Sequence, residues 1–229
     1  MYQLFIGNKN YSSWSLRPWL LLRQLQIPFE EQLVPFEAGG NWDRFRRFST
    51  SGRVPCLVDR DVRVWDSLAI IEYLAETHGR VWPASAASRA WARSVTAEMH
   101  SGFAALRAEC PMNCGVQLEM RHVSPALACD LARIDEIWGE GLDRFGGPFL
   151  AGREFTAVDA FFAPVAVRAA GYRLPLDSAA LVYAEHLLAL PAMKDWVAEA
   201  LREPWRDEGE ERQMLASAFV IEDRRAPLT

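Results

Sequence analysis

The first eighty residues alternate between strand-like and helix-like patterns of hydrophobic positions. The run "YQLFIG" alternates and is rich in aromatic and β-branched residues, which predicts a strand. In "SLRPWLLLRQLQI" the apolar residues recur at helical spacing, and "FEEQLVPF" predicts a second strand. Because a strand–helix–strand order requires a crossover connection, we expect these two strands to be parallel.

The segment that follows predicts a hairpin and a closing helix. The runs "PCLVD" and "RVW" flank the polar turn Asp59–Arg60–Asp61, a pattern typical of a β-hairpin. "DSLAIIEYLAETHG" predicts a helix that is capped by Asp66 or Ser67 and ends before glycine. The order is therefore β-α-β followed by β-β-α, a complete small α/β layer.

The strand signal ends near residue 80. "RVWPASAASRA" combines a proline with small polar residues and predicts a linker at residues 81–88. Helical periodicity with many alanines and leucines follows. The predicted helices span residues 89–108, 126–145, 157–171 and 179–201. The sequence thus predicts an α/β domain over residues 1–80 and an all-helical domain over residues 89–229.

The composition is that of a folded globular chain. Of the 229 residues, 50% are hydrophobic and 24% are charged, which is enough to build a sizeable core. The net charge is −5 and the arginines are scattered, so we expect no nucleic-acid partner. No apolar run reaches the length of a membrane span, and the amino-terminal residues lack a signal-peptide pattern. We therefore expect a cytoplasmic protein with no membrane partner.

The four cysteines indicate no metal centre. In a reducing compartment Cys56, Cys110, Cys114 and Cys129 are expected to be free, buried thiols. The spacing of the last three around His122 fits no common zinc pattern, so we expect no metal. The sequence leaves any role of Cys110 and Cys114 open.

The third predicted strand opens with a proline. Proline lacks an N–H and fits poorly inside a sheet, so Val54–Pro55 has two interpretations. A trans bond would simply mark a strand entry. A cis bond would turn the backbone groups of Val54 outward, where an extended peptide could pair with them.

An acid–serine pair begins the helix that closes the first domain. Free amides at a helix N-terminus attract a carboxylate, and the Ser67 hydroxyl can add a hydrogen bond. The Asp66 carboxylate can pair with an ammonium group, so the two residues together suit an amino-acid end group. The alternative is a plain N-cap.

Three serines lie between the first strand and the first helix. Ser12, Ser13 and Ser15 follow the carboxyl end of that strand, where ligands of open α/β sheets bind. No neighbouring histidine or cysteine would make a serine nucleophilic, but a hydroxyl can stabilise a thiolate. A free cysteine thiol has a pKa of about 8.5, and a decrease of about two units corresponds to about 2.7 kcal/mol. The alternative is ordinary helix capping.

Together, "YSSWSLRPWL", "GRVPCLV" and "WDSLAIIEYLAE" resemble the soluble glutathione transferases. The serine run is similar to the signature of the zeta class, with Trp14 where that class has cysteine. "PFLAGREFTAVDAFFAPV" looks like the family's helix-six entry, and its Thr156 and Asp159 also form a capping box. The resemblance implies a thioredoxin-like βαβ-ββα domain followed by an all-α helical bundle.

The resemblance also implies roles for individual residues, with glutathione as co-substrate. Either Ser13 or Ser12 would stabilise its thiolate: a zeta-like alignment favours Ser12, and counting back from Arg17 favours Ser13. Arg17 itself is expected to be structural and paired near the first helix. The implied glutathione contacts are Ser12, Ser13, Trp14, Ser15, Asn41, Val54, a cis Pro55, Asp66 and Ser67.

The electrophile is expected to lie against the helical domain. In "AEMHSGFAALRAECPMN", Met99, Phe103 and Leu106 share one helical face, which is typical of core residues. The candidate electrophile contacts are Phe103, Arg107 and Trp14, and Arg107 could reach an acidic substrate. Tyr11 is an alternative hydrogen-bond donor to the thiol.

The implied activity is conjugation of glutathione to a small hydrophobic or acidic electrophile, or isomerisation of the maleylacetoacetate type. The alternative is a non-catalytic binding module on the same fold. We also expect a homodimer.

Overall fold

A four-stranded sheet forms the first domain of the computed structural model, which describes residues 1–37 and 39–227. The strands are β1 (Tyr2–Ile6), β2 (Phe29–Leu33), β3 (Cys56–Asp59) and β4 (Val62–Val64), in the order β2-β1-β3-β4. β1 and β2 are parallel, and β3 is antiparallel to both β1 and β4. The predicted parallel pair and hairpin are therefore confirmed.

Three helices complete this domain: α1 (Ser13–Gln24), α2 (Trp42–Phe45) and α3 (Ser67–Thr77). The Ser12 hydroxyl caps α1 by accepting from the Ser15 amide at 3.4 Å. The N-cap of α1 is therefore Ser12, and Pro18 lies inside the helix. The cap of α3 is Asp66 rather than Ser67.

Up to residue 227, where the described part of the chain ends, the second domain has seven helices: α4 (Ala86–Ser101), α5 (Ala104–Glu109), α6 (Pro125–Phe145), α7 (Ala157–Tyr172), α8 (Ser178–Leu188), α9 (Pro191–Arg202) and α10 (Glu208–Ser217). The central helix is α7, in which every residue but Ala170 is buried.

Two predicted helices are each divided in the structure. The one expected over 89–108 breaks between α4 and α5, where Phe103 has a left-handed backbone with φ 59°. The one expected over 179–201 breaks between α8 and α9 at Leu190, because a proline disfavours helical backbone in the residue before it.

A two-stranded antiparallel sheet interrupts the otherwise helical second domain. It pairs β5 (Val116–Met120) with β6 (Ala218–Asp223). The expectation of an entirely helical domain misses this pair. Its strands are about a hundred residues apart in the chain, so neither is supported by a neighbouring hairpin pattern.

The loop after β1 is anchored by the second domain. The Glu203 carboxylate at the end of α9 accepts hydrogen bonds from the amides of Lys9 at 2.6 Å and Asn10 at 3.1 Å. The Lys9 side chain is buried and forms an ion pair with Glu31 at 2.7 Å. Burial raises the pKa of Glu203 to about 7. These contacts fix the segment that leads into α1.

The predicted capping box at the start of α7 is present. Asp159 is fully buried; its carboxylate accepts from the amides of Thr156 at 2.9 Å and Leu150 at 3.0 Å, and from the Tyr183 hydroxyl at 2.9 Å. Burial nevertheless raises the pKa of Asp159 to about 6. Within residues 1–37 and 39–227, no helix has the combination of length and apolarity that crossing a membrane would require.

Candidate active site

Residues from three separated segments of the first domain meet at two adjoining cavities. The larger cavity, of about 480 Å³, is lined by Ser12, Ser13, Trp14 and Val54 from this domain and by Arg107 and Arg168 from the second. The smaller, of about 330 Å³, shares Trp14, Arg53 and Val54 with it and adds Pro55, Asp66 and Ser67. The structure therefore brings most of the predicted site residues together.

Ser12 and Ser15 hydrogen-bond to each other below the larger cavity. The Ser12 hydroxyl donates to Ser15 Oγ at 2.7 Å, and Ser15 Oγ also accepts from the Gly7 amide at 3.2 Å. Ser15 is fully buried and lines neither cavity, so the structure does not bring this predicted ligand contact to the site.

Ser13 is the first residue of α1, and its side chain faces the larger cavity. Its hydroxyl forms no hydrogen bond with any described residue, whereas the Ser12 hydroxyl is engaged by Ser15. The N–H groups of the first helical turn have no intrahelical partner and carry the positive end of the helix dipole. Ser13 thus offers a free donor where an anion is favoured, and rotation of Ser12 away from Ser15 would offer a second.

Tyr11 is occupied elsewhere. Its hydroxyl donates to the Glu211 carboxylate at 2.7 Å and accepts from Arg225 Nη1 at 3.2 Å. Burial, followed by the hydrogen bond to Glu211, raises the pKa of Tyr11 far above its usual value. The alternative of Tyr11 as the donor to a thiol is therefore disfavoured.

The Val54–Pro55 peptide bond is cis. Val54 lines both cavities, and within the described part of the chain neither its N–H nor its carbonyl has a hydrogen-bond partner. Of the two interpretations of this dipeptide, the structure has the one with an unpaired backbone edge. Asn41 lines the larger cavity, but its amide holds the loop, accepting from the Glu37 amide and donating to the Pro35 carbonyl.

The acid–serine pair faces the smaller cavity. Asp66 accepts from the Leu68 amide at 3.0 Å, and its other oxygen lies 3.1 Å from His100 Nε2 on α4. Burial lowers the pKa of His100, against the opposing effect of Asp66. The Ser67 hydroxyl is fully buried and has no partner among the described residues. A buried hydroxyl without a partner indicates that a ligand or water completes the site.

Two arginines form the second-domain wall of the larger cavity. Arg107 donates to the carbonyls of Gly102, at 3.1 Å, and Met99, and its guanidinium carbon lies 4.7 Å from the centroid of the Trp14 ring. Arg168 donates to the carbonyls of Cys110 at 2.6 Å and Pro164 at 3.2 Å.

Phe103, the other predicted electrophile contact, is 6% exposed in the hydrophobic core and does not line the cavity. Its left-handed backbone turns the chain between α4 and α5, so the single helical face expected for Met99, Phe103 and Leu106 does not exist. Met99 and Leu106 are buried core residues, as predicted.

Sequence reasoning missed three charged residues of the larger cavity: Arg53, Arg168 and Glu210. Arg168 carries a detectable signal, because it is the only cation in the largely apolar run "AVDAFFAPVAVRAAGY". Arg53 immediately precedes Val54. Glu210 comes from α10, and nothing in its local sequence connects it to the site.

The cysteines take no part in this arrangement. Burial raises the pKa of Cys110 and of Cys114 to about 12, and that of Cys56 to about 11. None of these thiols lines the two cavities. All four cysteines are free, as expected, but Cys129 is exposed rather than buried.

Sequence comparisons show what the first domain is similar to. Residues 11–77 match the family model described as glutathione S-transferase, N-terminal domain. The curated relatives named glutathione S-transferase GstB, from Escherichia coli K12 and from Escherichia coli O6:H1, are each 35% identical over 110 residues. These alignments cover 43% of this chain and 53% of each relative, so the chain spans about half the length of the curated relatives it matches.

Solved structures extend the likeness to both domains. A glutathione transferase homologue from Burkholderia gl BGR1, with bound glutathione, matches 87% of this chain and 97% of its own with a TM-score of 0.66 and 22% identity. Isozyme E7 of Drosophila melanogaster glutathione S-transferase matches 95% of this chain and 97% of its own, with a TM-score of 0.65 and 19% identity. Residues 11–77 are therefore similar to the N-terminal domain of the glutathione S-transferases, and the two domains together have the fold of these solved structures.

Proposed function

We propose that this protein is a glutathione transferase that ionises bound glutathione with a serine hydroxyl at the start of α1. The observation that carries the proposal is the convergence of three unpaired groups on the two adjoining cavities. These groups are the Ser13 hydroxyl, the backbone of Val54 and the buried Ser67 hydroxyl. Each is a hydrogen-bonding group that the described protein leaves without a partner, and a tripeptide thiol supplies partners for all three.

The chemistry of glutathione matches these groups in order along the site. Its γ-glutamyl carboxylate suits the Ser67 hydroxyl and the N-terminus of α3, and its ammonium group suits the Asp66 carboxylate. Its cysteinyl backbone can pair with Val54 in the manner of an added strand. The thiol then reaches the start of α1, where Ser13 or Ser12 donates to the sulfur and favours its ionised form.

The reaction follows from the thiolate. Its sulfur forms a bond to an electrophilic carbon, and the leaving group departs with the electron pair of the bond that breaks. The thiol proton passes to solvent. With an activated double bond the same thiolate can add, allow rotation and be eliminated again, which is isomerisation of the maleylacetoacetate type. This zeta-like activity rests only on the serine run around Trp14.

Two measurements test the proposal: retention on immobilised glutathione, and conjugation of the neutral electrophile chlorodinitrobenzene. Ser13→Ala and Ser12→Ala are compared with Ser94→Ala, an exposed serine whose hydroxyl donates within its own helix. We expect retention by the parent and a conjugation rate at least tenfold lower in one of the two site variants. Retention without conjugation by the parent would instead support the non-catalytic binding module, and no retention would contradict the proposed transferase.

We also propose a homodimer. Large apolar side chains are exposed on the first domain, at Trp42 (61%), Val62 (43%) and Trp65 (42%). Exposed aromatic side chains are enriched at protein–protein interfaces. Sedimentation at micromolar concentration should give twice the chain mass of 25.9 kDa, and a monomer would contradict the proposal.

A further inference from the structure

Three arginines, Arg17, Arg107 and Arg168, lie beside Trp14 and the larger cavity. Arg17 and Arg107 both place their guanidinium carbons over the Trp14 ring, at 4.2 and 4.7 Å from its centroid. Arg107 and Arg168 line the larger cavity. None of the three forms an ion pair with an acidic side chain in residues 1–37 and 39–227.

Neutral acceptors hold the two lining arginines in place. Each uses two of its nitrogens on backbone carbonyls, and these bonds leave Nη1 of Arg107 and Nη2 of Arg168 without a described partner. Arg168 is only 5% exposed and is therefore a desolvated cation at the cavity wall. A positioned, desolvated guanidinium with a free nitrogen is suited to hydrogen-bond an anion.

The cations also repel one another. Burial lowers the pKa of Arg107 to about 10, with Arg168 as the next cause. The pKa of Arg17 is also lowered, first by burial and then by the positive charges of Arg107 and Arg168. Bound negative charge at this wall would relieve that repulsion.

The other charged residues that line the larger cavity leave it with an excess of positive charge. Among its described lining residues the cations are Arg53, Arg107 and Arg168, and the one acid is Glu210. Burial raises the pKa of Glu210, and among the described residues no ion pair joins its carboxylate to a lining arginine.

We propose that the electrophile conjugated by this protein carries a carboxylate, bound by Arg107 and Arg168, while its apolar body packs against Met112 and Pro111. This inference rests on the proposed glutathione transferase function and specifies the substrate class of the same site. The lining supports an amphiphilic molecule, because Met112, Pro111 and the Trp14 ring lie beside the arginines in one cavity. Fixing the carboxylate at the second-domain wall would leave the opposite end of the molecule toward Ser12 and Ser13.

A matched pair of electrophiles tests this proposal: a chloronitrobenzoate and its methyl ester. In both, the glutathione sulfur forms the new carbon bond, the carbon–chlorine bond breaks, chloride leaves with the electron pair and the thiol proton goes to solvent. The ratio of kcat/KM for acid over ester is measured in the parent, Arg107→Gln, Arg168→Gln and the charge-retaining Arg107→Lys. Comparing this ratio between variants cancels the intrinsic reactivity of the two compounds.

We expect each glutamine variant to lower this ratio about tenfold, mainly through a raised KM for the acid, since a charge-assisted hydrogen bond is lost. Arg107→Lys should retain part of the preference. The control is Arg202→Gln, an exposed arginine outside both cavities, which should leave the ratio unchanged. If Arg168→Gln fails to fold by circular dichroism, Arg107→Gln decides the question alone.

The failures of the two proposals are distinguishable. If the parent conjugates neither compound and does not bind glutathione, the proposed function is overturned. If the parent conjugates the ester and the acid-to-ester ratio is the same in parent and Arg107→Gln, the carboxylate inference alone is overturned.

Discussion

The guanidinium of Arg17 lies over the indole ring of Trp14, with 4.2 Å between the guanidinium carbon and the ring centroid. A second aromatic ring, that of Phe161 on α7, lies 4.6 Å away. Arg17 is fully buried, and none of its side-chain nitrogens has a hydrogen-bond partner among the described residues. Among the described residues Arg17 therefore lacks the hydrogen-bonded pairing near the first helix that the sequence predicts. Aromatic faces take the place of a carboxylate in stabilising this cation.

Replacing Arg17 by methionine tests this arrangement. Desolvation of an unpaired cation costs several kcal/mol, and each buried cation–π contact returns about 2 kcal/mol. We expect Arg17→Met to change the free energy of unfolding in urea by less than about 1 kcal/mol. A loss of about 3 kcal/mol or more would show that the cation has a strong partner after all.

Arg168→Met should lower the free energy of unfolding by about 2 kcal/mol, because it leaves two carbonyl acceptors unpaired.

Ser67→Ala separates a ligand contact from a structural one. The Ser67 hydroxyl is buried without a partner, so its removal should not lower the thermal stability of the free protein. We expect the Kd for glutathione, measured by calorimetry, to rise about tenfold. Ser88→Ala is the matched control, since the Ser88 hydroxyl is also buried but donates to the Ser85 carbonyl. It should show the reverse pattern, with lower stability and unchanged affinity. Reduced stability with unchanged affinity in Ser67→Ala would rule out the ligand contact.

Asp159 should make stability depend on pH. Its native pKa is about 6, whereas an unfolded aspartate titrates near ~3.9. The native state therefore binds more protons between about pH 4 and 6, and the contribution of Asp159 to stability falls as pH rises through that window. A shift of about two units corresponds to about 3 kcal/mol.

Asp159→Asn tests that dependence. Asparagine offers one acceptor oxygen where the carboxylate uses both, so we expect a loss of about 2 kcal/mol at pH 7. The loss should be larger at pH 5, because the parent gains stability on protonation and the variant does not. Urea unfolding at both pH values measures this difference. The exposed control Asp143→Asn should have a free energy of unfolding within about 0.5 kcal/mol of the parent's at both pH values. An equal loss for Asp159→Asn at pH 5 and 7 would contradict the raised pKa.

The parts of the fold that were predicted correctly are those in which local pattern and tertiary structure agree. β1, α1 and β2 follow directly from alternation and helical periodicity, and the hairpin and α3 do likewise. β5 and β6 were missed because each strand is defined by a partner about a hundred residues away. The helix expected over 89–108 was too long because the left-handed backbone of Phe103, which no periodicity reveals, ends α4.

The site residues likewise divide into those that a local sequence pattern indicates and those that only the packing of distant elements brings to the cavity. The serine run, Val54–Pro55 and Asp66–Ser67 were recognisable because each stands at the end of a predicted element, where polar groups have few local reasons to occur. Arg168 and Glu210 reach the cavity only through the packing of α7 and α10. The serine run predicts Ser15 as a ligand contact, whereas its hydroxyl is buried and accepts from the Gly7 amide, a contact that spacing does not indicate.

The central claim is that a serine hydroxyl at the start of α1 lowers the pKa of the glutathione thiol. The most direct test is the ultraviolet absorbance of the thiolate in the binary complex, titrated with pH for the parent, Ser13→Ala and Ser12→Ala. Tyr11→Phe is the control, because the Tyr11 hydroxyl is bound to Glu211 and should not affect the sulfur. We predict a thiol pKa about two units below that of a free thiol in the parent and in Tyr11→Phe, and a return of at least one unit in one serine variant. An unshifted pKa in the parent, or a shift that survives both serine substitutions, would contradict the claim.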